Sequence, residues 1–233
     1  MTAAEWRTSR SPLVPPVALV MAKAPLAGVA KTRLAATAGK AGAARLALAA
    51  LLDTVEACEQ VFGADHCHLA VDGDLARVPG IDLPGRLAGW TLHRQRGEGL
   101  GQRIANAHRD VHALTGAPVV QLGMDTPHLT TATLGAVADA VTRTRLPVLG
   151  LAEDGGWWVL ASGEVHHVDG LERVPMSTEL TGLATRNVLR RNARHVTEAP
   201  VLRDVDVAED AEHAALSAPA SRFARAWAER RRA

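Results

Sequence analysis

Val17-Ala18-Leu19-Val20-Met21-Ala22-Lys23-Ala24-Pro25-Leu26-Ala27-Gly28-Val29-Ala30-Lys31-Thr32-Arg33-Leu34 runs from a continuous apolar stretch straight into a loop with three cations. An uninterrupted run such as Val17–Met21 is what a strand buried on both faces requires. The loop that leaves it carries Pro25 and Gly28 and then gives way to an Ala/Leu-rich helical stretch, about 41 to 61. The same alternation continues along the chain. Strands are expected at His68–Val71, Trp90–His93, Pro118–Met124 and Pro147–Leu151, with Trp157–Leu160 pairing near the last of these. Helices are expected at about 100–114, 133–141, 179–189, 207–215 and 221–231. Buried strands alternating with amphipathic helices predict an α/β domain, a mostly parallel sheet with helices on both faces.

The chain has 233 residues, long enough for one such domain at 15–233, preceded by a Thr/Ser/Arg/Pro tail over 1–14 that reads as flexible. Its 26 Lys and Arg against 25 Asp and Glu argue against a nucleic-acid coat or a polybasic membrane binder. Aromatics at 3%, without a Tyr, leave little for a base-stacking platform. Cys58 and Cys67 form neither a CxxC pair nor a zinc-ligand set and read as small buried hydrophobes, which fits a cytoplasmic protein. No apolar stretch is long enough for a membrane span. His108 and His112 stand four apart on an expected helix but lack the Glu of HExxH, and His166-His167 reads as surface.

In parallel sheets ligands bind outside the carboxyl ends of the strands, and three polar clusters fall at such ends. The first is the loop with Lys23, Lys31 and Arg33, where Gly28 would let backbone approach a ligand and the cations would neutralise phosphates. Pro25 and Ala30 stand where a Walker A motif needs glycine, so this is no P-loop. A solvated basic loop is the other reading of the same residues. The second is Asp125, closing an apolar strand: a ligand for Mg²⁺ against substrate phosphates, or a helix cap before Pro127. The third is Glu153-Asp154-Gly155-Gly156-Trp157-Trp158, acids and aromatics around a glycine turn, which suits an acceptor site. A further acidic group, Asp204, Asp206, Glu209 and Asp210, reads either as capping or as part of the site.

Together these blocks resemble a bacterial family described as glycosyltransferase-A-like, domain of unknown function 2064. The resemblance rests on Lys23–Leu34, Gln95–Arg103, Gly123–Pro127, Ala152–Trp158, Ser177–Glu179 and Leu202–Asp206 in that order, and spans about residues 17–212. The opening and the acidic strand end are also similar to guanylyltransferases of coenzyme F420 biosynthesis and to molybdenum-cofactor nucleotidyltransferases. The resemblance implies a three-layer α/β/α nucleotide-diphospho-sugar transferase (GT-A, Rossmann-like) fold and a transferase dependent on Mg²⁺ or Mn²⁺. Carried over, Lys23, Gly28, Lys31 and Arg33 would hold phosphates, and Gln95, Gly97 and Gly99 would line the nucleoside pocket. Asp125 would be the main metal ligand, with Asp206 or Asp154 as a second. Glu153, Asp154, Trp157 and Trp158 would contact the acceptor, while Lys31, Arg33 and Asp125 would act on the leaving group. Val207-Ala208 stands where the related metal segment has Thr-Pro, Ala27 where the family usually has Pro, and the Trp pair where Tyr is commoner.

One acid at Asp125-Thr126-Pro127, rather than Asp-x-Asp, and three cations in the loop favour nucleotidyl transfer from a nucleoside triphosphate to a small phosphorylated acceptor. Glycosyl transfer from a nucleotide sugar is the alternative, and a catalytically idle nucleotide-binding or scaffold protein a further one. No nucleic-acid or membrane partner is expected, and a homo-oligomer stays open.

Overall fold

The computed structural model describes residues 14–230; the stretch expected as a flexible tail lies, up to residue 13, outside them. The described residues form one seven-stranded sheet in the order β3-β2-β1-β4-β6-β5-β7. The strands are β1 (Val17–Lys23), β2 (Cys67–Asp72), β3 (Thr91–Arg94), β4 (Val119–Leu122), β5 (Val148–Ala152), β6 (Trp157–Ser162) and β7 (Thr197–Leu202). The helices are α1 (Ala35–Phe62), α2 (Leu83–Arg86), α3 (Gly99–Thr115), α4 (Thr131–Thr144), α5 (Thr181–Asn192), α6 (Ala208–Ser217) and α7 (Arg222–Glu229). The sheet is mostly parallel; β6 alone runs antiparallel, to β4 on one side and β5 on the other. A mostly parallel sheet between two layers of helices is the arrangement that the resemblance implies.

Alternation along β1 builds both cores. Ala18, Val20 and Ala22 face one side and pack with Leu51 and Val55 of α1 and Leu134 and Val141 of α4. Val17, Leu19 and Met21 face the other and pack with Ile104 and Val111 of α3 and Val188 and Leu189 of α5. A third cluster lets Phe223 and Trp227 of α7 cover Leu46 and Ala50 on the far side of α1. Burying a side chain the size of Leu19 contributes about 1.5–3 kcal/mol, and a strand buried on both faces collects this at every position. A kink at Gly39, where φ is +69°, divides the start of α1 from its body, so the body begins where the Ala/Leu-rich run predicts.

One side chain sits elsewhere than the sequence predicts. His167 is buried, its ring accepting from the Glu164 N–H, rather than at the surface. His108 and His112 share the Ser162 hydroxyl at 2.9 Å each and are not a metal pair. Cys58 and Cys67 are free and buried, as predicted. No helix among the described residues is long and apolar enough to cross a membrane.

The strand order places the site. From β1 the chain steps outward to β2 and β3, then returns to lay β4 against β1's other edge. The carboxyl ends of β1 and β4 therefore border the crevice where the order reverses, the place where open α/β sheets bind ligands. β5 and β7 run the same way and end on the same edge of the sheet.

Candidate functional site

The loop after β1 turns back at Lys31, which takes φ +53°, a conformation that costs a non-glycine residue about 1–3 kcal/mol. The turn drives its side chain inward until it is only 5% exposed. There the ammonium pairs with Asp125 Oδ1 at the end of β4 and donates to the Val205 carbonyl beyond β7. The Val205 N–H donates to the Asp125 carbonyl at 2.8 Å, so three loops from three strands are laced at one point. Arg33, more exposed, pairs with Asp206.

Around this knot lie two joined clefts of about 590 and 720 Å³. Arg33, Asp125, Ser177 and Asp206 line both. The first cleft is cationic. Lys23, Lys31, Gln95 and Gly99 line it as the resemblance implies, and Arg103, which sequence reasoning did not single out, joins them. Arg103 is held by Asp72 Oδ2 at 2.7 Å and by the Gly97 carbonyl at 3.3 Å. α3 begins here without a side-chain cap, so amides of its first turn are open to an anion. Gln95 donates both amide hydrogens to backbone, to Ala22 at 3.0 Å and Ala70 at 2.9 Å, leaving only its carbonyl for a ligand. Gly28, at the exposed tip of its loop, and Gly97 do not line either cleft.

The second cleft is acidic. Asp125, Asp154, Glu179, Asp204 and Asp206 all reach it, against the single cation Arg33. Asp204, one of the acidic group that the sequence left between capping and the site, is half-buried; burial first, then the charges of Asp154 and Asp125, push its carboxyl up to about 6. Trp157, Met176, Leu100 and Ile104 form the apolar wall. On the floor lies Gln121 of β4, 2% exposed, with its carbonyl 3.4 Å from His108 Nε2.

Two expected acceptor contacts point elsewhere. Adjacent strand residues face opposite sides of a sheet, so Trp157 faces the cleft while Trp158 is buried in the opposite core, its indole N–H on the Pro200 carbonyl at 2.8 Å. Glycine at 150 makes room for that ring: a Cβ there would lie 2.4 Å from the Trp158 indole nitrogen. Glu153 turns to Arg203, at 2.8 Å, and lines neither cleft.

The donor set suits a hard divalent cation: carboxylate oxygens only, beside a cationic half where phosphates would sit. Asp125 and Asp206 are about half exposed and offer free oxygen lone pairs. Asp154 also lines the second cleft, but among the described residues no three of His, Cys, Asp and Glu gather closely enough to hold an ion by themselves. That fits an ion held by one or two side chains plus phosphate oxygens rather than a closed protein cage.

The family described as "uncharacterized protein conserved in bacteria (DUF2064)" matches residues 54–178, just over half of the chain. The match takes in Gln95, Asp125, Asp154 and Trp157 and leaves out the Lys23–Leu34 loop and the Leu202–Asp206 segment. No curated protein matches. Among solved structures, a Desulfovibrio desulfuricans G20 protein provisionally named a nucleotide-diphospho-sugar transferase superposes with a TM-score of 0.75, 23% identity and 94% of both chains covered. A cytidylyltransferase from Leptospira borgpetersenii serovar Hardjo-bovis gives 0.57, 14% and 94% of both. A CMP:2-keto-3-deoxy-manno-octonic acid synthetase complexed with CTP gives 0.55 and 13%, with 88% of this chain and 98% of that one covered.

Proposed function

The chain belongs to the DUF2064 family, and on that premise we propose that it is a transferase acting on a nucleoside-phosphate donor, transferring the nucleotidyl group of a triphosphate to a small acceptor. One observation carries this reading: at the switch point a cationic cleft and an acidic cleft join at Asp125 and Arg33. The donor's phosphates would lie against Lys23, Arg103 and the first turn of α3, with Gly99 and the Gln95 carbonyl toward the nucleoside. An acceptor oxygen entering from the acidic side meets the α-phosphorus near Asp125 and Arg33. There Arg33 would stabilise charge on the departing pyrophosphate. Lys31, committed to Asp125 and Val205, positions the carboxylate rather than reaching outward.

A Mg²⁺ or Mn²⁺ ion, held by Asp125 with Asp206 or Asp154, would supply charge neutralisation between the phosphates. The cytidylyltransferase and the CTP-bound synthetase are named for chemistry of this kind and share the fold.

Glycosyl transfer from a nucleotide sugar has its own support. Of the loop's three cations, Lys31 and Arg33 are ion-paired and Lys23 alone makes no ion pair among the described residues, a cation supply that suits a diphosphate. Assaying pyrophosphate release from triphosphates beside nucleoside diphosphate release from nucleotide sugars separates the two. Asp125→Asn is expected to lower either activity by at least about 100-fold; full activity in that variant would remove Asp125 from the mechanism.

A further inference from the structure

The acceptor side of the cleft is poorly suited to a phosphate. Five carboxylates reach it, and its one cation, Arg33, is already paired with Asp206; a divalent ion on Asp125 with Asp206 or Asp154 would be spent on the donor's phosphates and leave Glu179 and Asp204 uncompensated on the acceptor side. A phosphorylated acceptor would bring about two more negative charges among them, and like charges in a partly desolvated cleft repel strongly. What the cleft does offer is an aromatic face at Trp157, a ring of hydrogen-bond acceptors, and one neutral donor. The donor is Gln121: nine-tenths buried and more, it has its carbonyl toward His108, while its NH₂ makes no hydrogen bond among the described residues and lies on the cleft floor. An amide that opens only onto the cleft is a donor that a ligand oxygen can satisfy. Hydroxyl groups donate to carboxylates and accept from an amide, and the C–H face of a ring packs on an indole.

We propose, resting on the transferase reading above, that the acceptor is an unphosphorylated polyhydroxylated molecule of the sugar or cyclitol type. Its ring lies on Trp157, its hydroxyls on the carboxylates, and one of its oxygens on the Gln121 NH₂. Reaction then forms a bond from one acceptor hydroxyl oxygen to the donor's α-phosphorus and breaks the bond from that phosphorus to the bridging oxygen. Pyrophosphate departs and the hydroxyl proton is given up to water. The sequence points instead to a phosphorylated acceptor; the crowd of carboxylates, drawn together from four loops, is what favours the free polyol.

The test pairs free hexoses and inositol with their monophosphates, each at saturating triphosphate and Mg²⁺, using the base that stabilises the protein most. Free polyols are expected to be the better acceptors. Gln121→Leu is expected to raise the acceptor KM about ten-fold, the worth of one neutral hydrogen bond, while the donor KM and the thermal shift on adding donor stay as in the parent. Retained donor binding shows that the variant is folded. Monophosphates outperforming the free compounds, or a Gln121→Leu acceptor KM equal to the parent's, would overturn the proposal while leaving the transferase reading intact. If no triphosphate or nucleotide sugar stabilises the protein, the transferase reading fails and the acceptor proposal falls with it.

Discussion

Lys31 shows how backbone conformation and charge combine at one residue. Its left-handed φ costs energy that only a committed side chain repays, and the ammonium is so enclosed that losing Asp125 would leave it facing a lone carbonyl. Lys31→Met removes that charge but leaves the cluster of carboxylates short of a counter-ion. It is expected to destabilise the protein by about 1–3 kcal/mol in urea melts and to weaken donor binding as Asp125 loses its fixed position. Unchanged stability and donor affinity together would mean the contact is incidental. Asp125 was legible in the sequence as a lone acid closing an apolar run, with a helix cap as the other reading, and the structure sets it on both clefts. Gln121 and Arg103 were not. A polar residue inside a buried strand reads the same whether it faces a core network or a cleft, and a helical arginine gives no sign of which strand end it will reach.

Among the elements, β1 and β4 were plain from their apolar runs, and the body of α1 from its Ala/Leu composition. β7 was missed as a strand because it is an edge strand, with alternating half-exposed residues and Pro200 interrupting its donors. The period of two in the strand expected at Trp157–Leu160 already divides Trp157 from Trp158, and it was the glycine turn before them that drew both into the acceptor reading. That turn sets the acceptor wall against α5: Gly155 sits at φ +86°, its carbonyl accepts from the Gly182 N–H at 2.8 Å, and a Cβ there would lie 2.1 Å from the Glu179 carbonyl oxygen. Gly155→Ala is therefore expected to cost at least about 1–3 kcal/mol and to push the Ser177–Glu179 rim outward. The checks are a denaturant midpoint and the acceptor KM, and a parental value for both would show that the loop relaxes freely.

For the whole molecule, buried histidines set the response to acid. Burial holds His108 at about 3 and His68, His112 and His167 at about 4, against an ordinary value of 6.5. Between those values and 6.5 the unfolded chain binds protons that the folded chain refuses, so stability is complete above about pH 6.5 and falls as pH drops below it. Asp204, raised to about 6, opposes this with one proton. Unfolding free energy is thus expected to fall by up to about 4 kcal/mol per pH unit between pH 6 and 4.5, the weight of roughly three net protons. Urea titrations across that range check it, and a flat profile would mean that the histidines are hydrated in the native state.

The most direct test of a switch-point nucleotide site is a thermal-shift panel of nucleoside triphosphates and nucleotide sugars, with and without Mg²⁺, on the parent and Asp125→Asn. A ligand at about 100 times its Kd adds roughly 2.7 kcal/mol, a clear rise in Tm. The expected result is stabilisation by one triphosphate that needs Mg²⁺ and is lost in Asp125→Asn. No shift with any nucleotide, or a shift indifferent to both the metal and Asp125, would contradict it.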